Sequence, residues 1–105
     1  MGLAYSPQSE PMGEGREYAT TAEYTAAVRL AYARLLSEQP TLAEVVRLCD
    51  AHGMTQRSAA QHLGISPSAA GRLVVTGRER LGTLCAMHPD RVTYELKNGA
   101  LNEEK

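Results

Sequence analysis

Apolar residues recur at helical spacing through the first half of the chain. Tyr24, Val28, Ala31 and Leu35 fall three or four apart, with Tyr32 and Leu36 beside them, and predict a helix from about residue 22 to 37. Thr20 and Glu23 have capping-box spacing at its start. Arg29 and Arg34 lie off the stripe. The stripe is wide enough to serve either the domain's own core or a second copy. Pro40 stops this helix. Thr41 and Glu44 repeat the capping-box spacing. Leu42, Val45, Val46, Leu48 and Cys49 then form the inner face of a second helix that ends near His52 and Gly53.

Residues 55–75, TQRSAAQHLGISPSAAGRLVV, read as two short helices joined by a tight turn. Thr55 caps the first, whose inner face is Ala59, Ala60 and Leu63. Gly64 suits the left-handed conformation that ends a helix. Ile65 is apolar within the turn. Ser66 caps the next helix, and Pro67 takes its first position, where a missing N–H costs nothing. Ala69, Ala70, Leu73 and Val74 continue the buried face. This helix is expected to reach about Arg80, with Thr76-Gly77 as a possible end and Gly82 as the clearer stop.

Beyond Gly82 the period changes. Residues 83–87 are followed by His88-Pro89-Asp90 and then by an alternating run with Val92, Tyr94 and Leu96 on one face. Pro89-Asp90 is turn chemistry, and the pattern predicts a β-hairpin. An alternative pairs residues 91–96 with the same strand of a second subunit. Asn98-Gly99 is a further turn, and residues 102–105 are expected to fray. Residues 1–18 hold Pro7, Pro11, Gly2, Gly13 and Gly15 without periodicity, and are expected to form a flexible tail. The tail's one basic residue, Arg16, lies among Glu10, Glu14 and Glu17, which makes it a poor minor-groove arm.

With 105 residues, no Trp and no Phe, the chain fits one small domain with a core of Leu, Val, Ala and Tyr. Net charge is −1, unlike a basic nucleic-acid coat. Its distribution is uneven. Residues 1–51 carry four Arg against seven acidic residues, a net of −3. Residues 52–105 carry seven Lys or Arg against five acidic residues, a net of +2. Positive charge therefore gathers around residues 55–75, as phosphate binding requires. Cys49 and Cys85 lie far apart and read as reduced thiols of a cytoplasmic, nucleoid-associated protein. No run approaches the ~18 apolar residues of a membrane span. Met1-Gly2 with Ser6 formally fits N-myristoylation, a loose pattern expected here by chance.

Gln56, the small Ala60 four residues on, Leu63-Gly64-Ile65-Ser66 through the turn and Leu73 late in the second helix resemble the core of bacterial and phage helix-turn-helix transcriptional regulators. Two positions depart from that pattern. Ala70 stands where these regulators usually carry a larger aliphatic, and Gly71 lies inside the presumed recognition helix. The resemblance implies a mainly α fold: a tri-helical helix-turn-helix core with an extra N-terminal helix. The expected hairpin then becomes a C-terminal wing. The expected organisation is a tail over 1–18 and a single winged helix-turn-helix DNA-binding domain over 19–105, with the motif at 55–76. In size and layout the chain is similar to accessory regulators of phages and plasmids, including TrfB-like plasmid repressors.

The expected DNA-binding residues follow from this layout. Ser66 and Ser68 lie at the helix start, where free N–H groups and the dipole favour a phosphate. Arg72, one turn past Ser68, faces away from Leu73 and suits the O6/N7 edge of guanine. Gln56 and Arg57 begin the helix that crosses the backbone. Arg78 and Arg80 are placed to grip flanking phosphates, and Arg91 lies at the expected hairpin tip. Solvent exposure is the plainer reading of each basic residue alone, and of Gln61 and His62. His52, His62 and His88 have no paired-ligand spacing with the cysteines, so no metal, cofactor or small-molecule ligand is expected. No nucleophile–base pair or phosphate-cradling glycine loop points to an enzyme.

These features predict a sequence-specific double-stranded DNA-binding regulator, a repressor acting as a homodimer on a palindromic operator. Two other classes fit as well: a DNA-binding accessory factor in partition, excision or replication control, and a protein-contact module such as an antitoxin or anti-activator.

Overall fold

The structure, a computed structural model, describes residues 18–102. Five α-helices follow one another: α1 (Thr21–Glu38), α2 (Pro40–Val46), α3 (Gln56–Leu63), α4 (Pro67–Leu84) and α5 (Pro89–Lys97). A single π-helical turn, Arg47–Ala51, continues α2.

The first two helices start differently from one another. Thr20 caps α1 by accepting from the Glu23 N–H at 3.2 Å, and the Glu23 carboxylate accepts from the Ala19 N–H at 2.8 Å. The second capping box does not form. α2 begins with Pro40 at its first position and has no side-chain cap. Glu44 instead turns along its own helix to the Arg47 guanidinium.

The turn between α3 and α4 follows the local sequence closely. Thr55 caps α3 from Ser58 N–H at 3.0 Å, and Gly64 ends it at φ 72°. The Ile65 N–H reaches back to the Ala60 carbonyl at 3.0 Å. Ser66 then caps α4 from Ala69 N–H at 3.1 Å, with Pro67 as its first residue.

α4 runs to Leu84, about one turn beyond Arg80. Neither Gly77 nor Gly82 stops it, and both are buried inside it. A Cβ on Gly77 would lie 2.3 Å from Val46 Cγ2 and 3.3 Å from the Leu42 carbonyl oxygen. A Cβ on Gly82 would lie 2.5 Å from the Met87 carbonyl oxygen. These glycines let α2 and the chain after α4 approach closely, and that packing offsets the ~1 kcal/mol each costs in a helix interior. The helix ends instead at Leu84, where Ala86 takes φ 55° and Met87 N–H bonds the Gly82 carbonyl at 2.8 Å.

The expected hairpin wing is absent: the described residues contain no β-strand, and the segment in question is α5. His88 caps it by accepting at Nδ1 from Asp90 N–H, Pro89 is its first residue and Lys97 lies in its last turn. Pro89-Asp90 is therefore a helix start. Val92 and Leu96 share a strand face in an alternating reading, yet they are also four apart and share a helix face. Both are fully buried, with Glu95 beside them, while Tyr94 is 55% exposed. Tertiary burial selected the helical period. Pairing of residues 91–96 as a strand across a subunit boundary falls with the hairpin.

The core is continuous across the helices. Val28 and Leu35 of α1, Val45 and Val46 of α2, Val74 and Leu81 of α4, and Val92 and Leu96 of α5 are all fully buried. α4 lies at the centre and packs on each of the other four helices. The tail expected over 1–18 falls outside the described residues except for Tyr18. That ring packs on Tyr24 at 5.0 Å between centroids, and its hydroxyl donates to the Cys85 carbonyl.

Candidate nucleic-acid interface

Five of the eight expected DNA-binding residues lie on the exposed surface of the α3–turn–α4 unit: Gln56, Arg57, Ser66, Ser68 and Arg72. Gln56 and Arg57 open α3, and Ser66 and Ser68 open α4. Arg72 stands one turn beyond Ser68. The two helices touch at this surface through Gly71, where a Cβ would lie 3.0 Å from Gln56 Oε1. Gly71 does not break α4; its missing side chain is the space the Gln56 amide occupies.

The electrostatics of this surface are one-sided. Neither α3 nor α4 has an acidic residue in its first turn, whereas α1 carries Glu23 and α5 carries Asp90 there. The partial positive charge at the start of α4 is thus left uncompensated. Among the described residues, Arg57 and Arg72 have no ion-pair partner. Arg80 is likewise exposed and unpaired among the described residues, farther along α4.

Arg78 and Arg91 are placed differently from expectation. Arg78 turns inward and grips Asp50 with a two-pronged contact, Nε to Oδ2 at 2.8 Å and Nη2 to Oδ1 at 2.7 Å. Asp50 is 3% exposed, and its hydrogen bonds hold the guanidinium charged by raising the Arg78 pKa. Arg91 belongs to α5 instead of a hairpin tip. Its Nε donates to buried Glu95 at 2.8 Å, and its guanidinium lies 3.8 Å from the centre of the Tyr24 ring. Both arginines tie helices together.

Asp50 could be read as a buried partner from its register, since Leu42, Val46 and Asp50 fall four apart on one face. Val75 carried no such mark. It follows two buried-face residues in sequence, yet it is 51% exposed on the same side of α4 as Ser68 and Arg72.

The remaining chemistry is quiet. Burial pushes the Cys85 thiol up to about 11, and burial together with Asp50 raises that of Cys49. Tyr32 is also raised, first by burial and then by Glu44. Among the described residues no three His, Cys, Asp or Glu side chains are grouped to hold a metal ion. No helix among them is long and apolar enough to cross a membrane. Comparison of the chain with protein-family models, with curated proteins and with solved structures finds no match.

Proposed function

We propose that this protein binds double-stranded DNA sequence-specifically and regulates transcription, acting as a repressor that two copies form on a palindromic operator. One observation carries the reading. The Gly64–Ser66 turn presents the acid-free start of α4, with Ser66, Ser68 and Arg72 exposed, beside exposed Gln56 and Arg57 of α3. In this reading Ser66 and Ser68 fix a phosphate at the helix start, and Gln56 and Arg57 hold the adjacent backbone. Arg72 addresses a guanine edge, and Val75 suits the methyl group of a thymine. Arg80 reaches a flanking phosphate. Arg78 and Arg91 are left out, because their guanidinium groups already serve buried carboxylates. Repression needs only occupancy, which a protein of this size can provide on a promoter.

The test is a gel-shift titration of wild type and Arg72→Ala on the DNA upstream of the protein's own gene, at two salt concentrations. Wild type should prefer that DNA over random sequence, and Arg72→Ala should lose ~1–3 kcal/mol of that preference. Equal binding by Arg72→Ala sinks the base-reading role. No preference by wild type sinks the regulator.

A further inference from the structure

α1 carries a second surface that the DNA-facing reading does not use. Leu30 is 73% exposed, the most open large apolar side chain among the described residues. It lines a groove between α1 and the end of α4 together with Tyr18, Ala27, Ala31, Leu84 and Cys85. Along α1, Glu23, Ala27, Leu30 and Arg34 recur at four-three-four spacing, the spacing of a seam between two paired helices. The seam is charged oppositely at its two ends, with one small and one large apolar residue between.

We propose that this face is the homodimer interface, occupied by α1 of a second copy running antiparallel. A two-fold axis passing between positions 28 and 29 sets Leu30 of each copy level with Ala27 of the other, so that each leucine enters the other's groove. The same axis sets Glu23 level with Arg34 of the partner copy, twice. This charge complementarity selects a second copy: the surface is self-complementary only in the antiparallel sense. Arg34 is free to make the exchange, since its present partner is Glu38 in an exposed pair on its own helix. The small residues around Leu30 allow close approach of the two backbones.

The interface lies by the C-terminal end of α4, while Ser66, Ser68 and Arg72 lie toward the other end. The sixteen helical rises from Ser68 to Leu84 separate the two by about 24 Å. Pairing through α1 therefore leaves the reading surface uncovered. The inference rests on the DNA-binding reading only for the use to which the dimer is put.

Analytical ultracentrifugation of the full chain across micromolar concentrations tests it. Wild type should self-associate to a dimer, and Leu30→Glu should weaken association by roughly 100-fold or more with an unchanged helical circular-dichroism spectrum. Arg34→Glu should also weaken the dimer by placing like charges at both seam ends, and adding Glu23→Arg should restore association while giving up the Ala19 N–H cap that the Glu23 carboxylate provides. A wild type that stays monomeric overturns the proposal, including the case where residues 1–17 of the same chain fill the groove. So does a dimer indifferent to Leu30→Glu, and indifference to Arg34→Glu overturns the antiparallel pairing. A dimer without DNA preference would sink the regulator and leave this interface standing. Specific DNA binding by a strict monomer would do the reverse.

Discussion

Arg78 of α4 and Asp50 of the π-helical turn meet through two hydrogen bonds, at 2.8 and 2.7 Å, with the carboxylate almost wholly buried. The pair anchors the chain after α2 to the middle of α4. Arg78→Ala should destabilise the fold by about 2–3 kcal/mol, because it leaves Asp50 buried without its cation. Arg78→Lys should recover only part of that, since an ammonium cannot match the two-pronged contact. Urea denaturation gives the loss, and DNA titration of the folded fraction should show affinity unchanged. A loss of affinity without a loss of stability would return Arg78 to the DNA face.

Two glycines of α4 should respond oppositely to alanine. Gly77→Ala drives a methyl into Val46 and toward the Leu42 carbonyl and should cost ~1–3 kcal/mol. Gly71→Ala meets only the end of the exposed Gln56 side chain, which can move. It should be neutral or stabilising by up to ~1 kcal/mol. Thermal melts of the two variants decide this. If Gly71→Ala is as damaging as Gly77→Ala, the Gln56 contact is stiffer than its exposure implies.

The helix in place of the wing makes the C-terminal segment part of the core. Leu96→Ala should destabilise by about 2–5 kcal/mol, the range for a buried leucine. The equivalent change at Tyr94, which is exposed, should stay well below that. A wing would have given the opposite contrast in DNA binding with little effect on folding.

Among the arginines, salt dependence should separate backbone contacts from base contacts. Arg57→Ala should reduce the slope of log affinity against log salt by about 1 and weaken all sequences alike. Arg72→Ala should relax preference at one base pair more than it lowers affinity for random DNA. Titrations over a salt series, on operator and random duplexes, read both quantities.

The thiols should be slow. With the Cys85 pKa pushed up to about 11, the folded state keeps this proton through a range where the unfolded chain, near 9, has lost it. Stability from this group is therefore intact below pH 9 and declines as pH rises toward 11. Thiol titration of native protein near neutral pH should leave Cys85 unmodified until denaturant is added. Rapid native labelling would contradict the burial.

The parts legible in the sequence were those set by local chemistry. Thr20, Thr55, Gly64, Ser66 and Pro67 act within their own turn, so residue type and spacing were enough to place them. The misreadings came where tertiary contact decides. Gly82 read as a stop, and Gly77 as an alternative end, because propensity sees their flexibility, not the side chain and carbonyl packed against them. Val92 and Leu96 satisfied two periods at once, whereas Tyr94 fitted only the strand period, and only the buried surface of the other helices chose between them. Arg78 and Arg91 looked like free charge because their carboxylates, one 28 residues upstream and the other buried one turn on, were not visible as partners.

α4 is the centre of the core and, in the proposed function, also the helix offered to DNA, which divides its residues into two sets that can change separately. Ala70, Val74, Gly77 and Leu81 are fixed by what surrounds them. Ser68, Arg72 and Val75 touch little of the protein and are open to replacement. A lineage carrying this scaffold could exchange one operator for another through a few outward positions, without passing through an unfolded intermediate sequence.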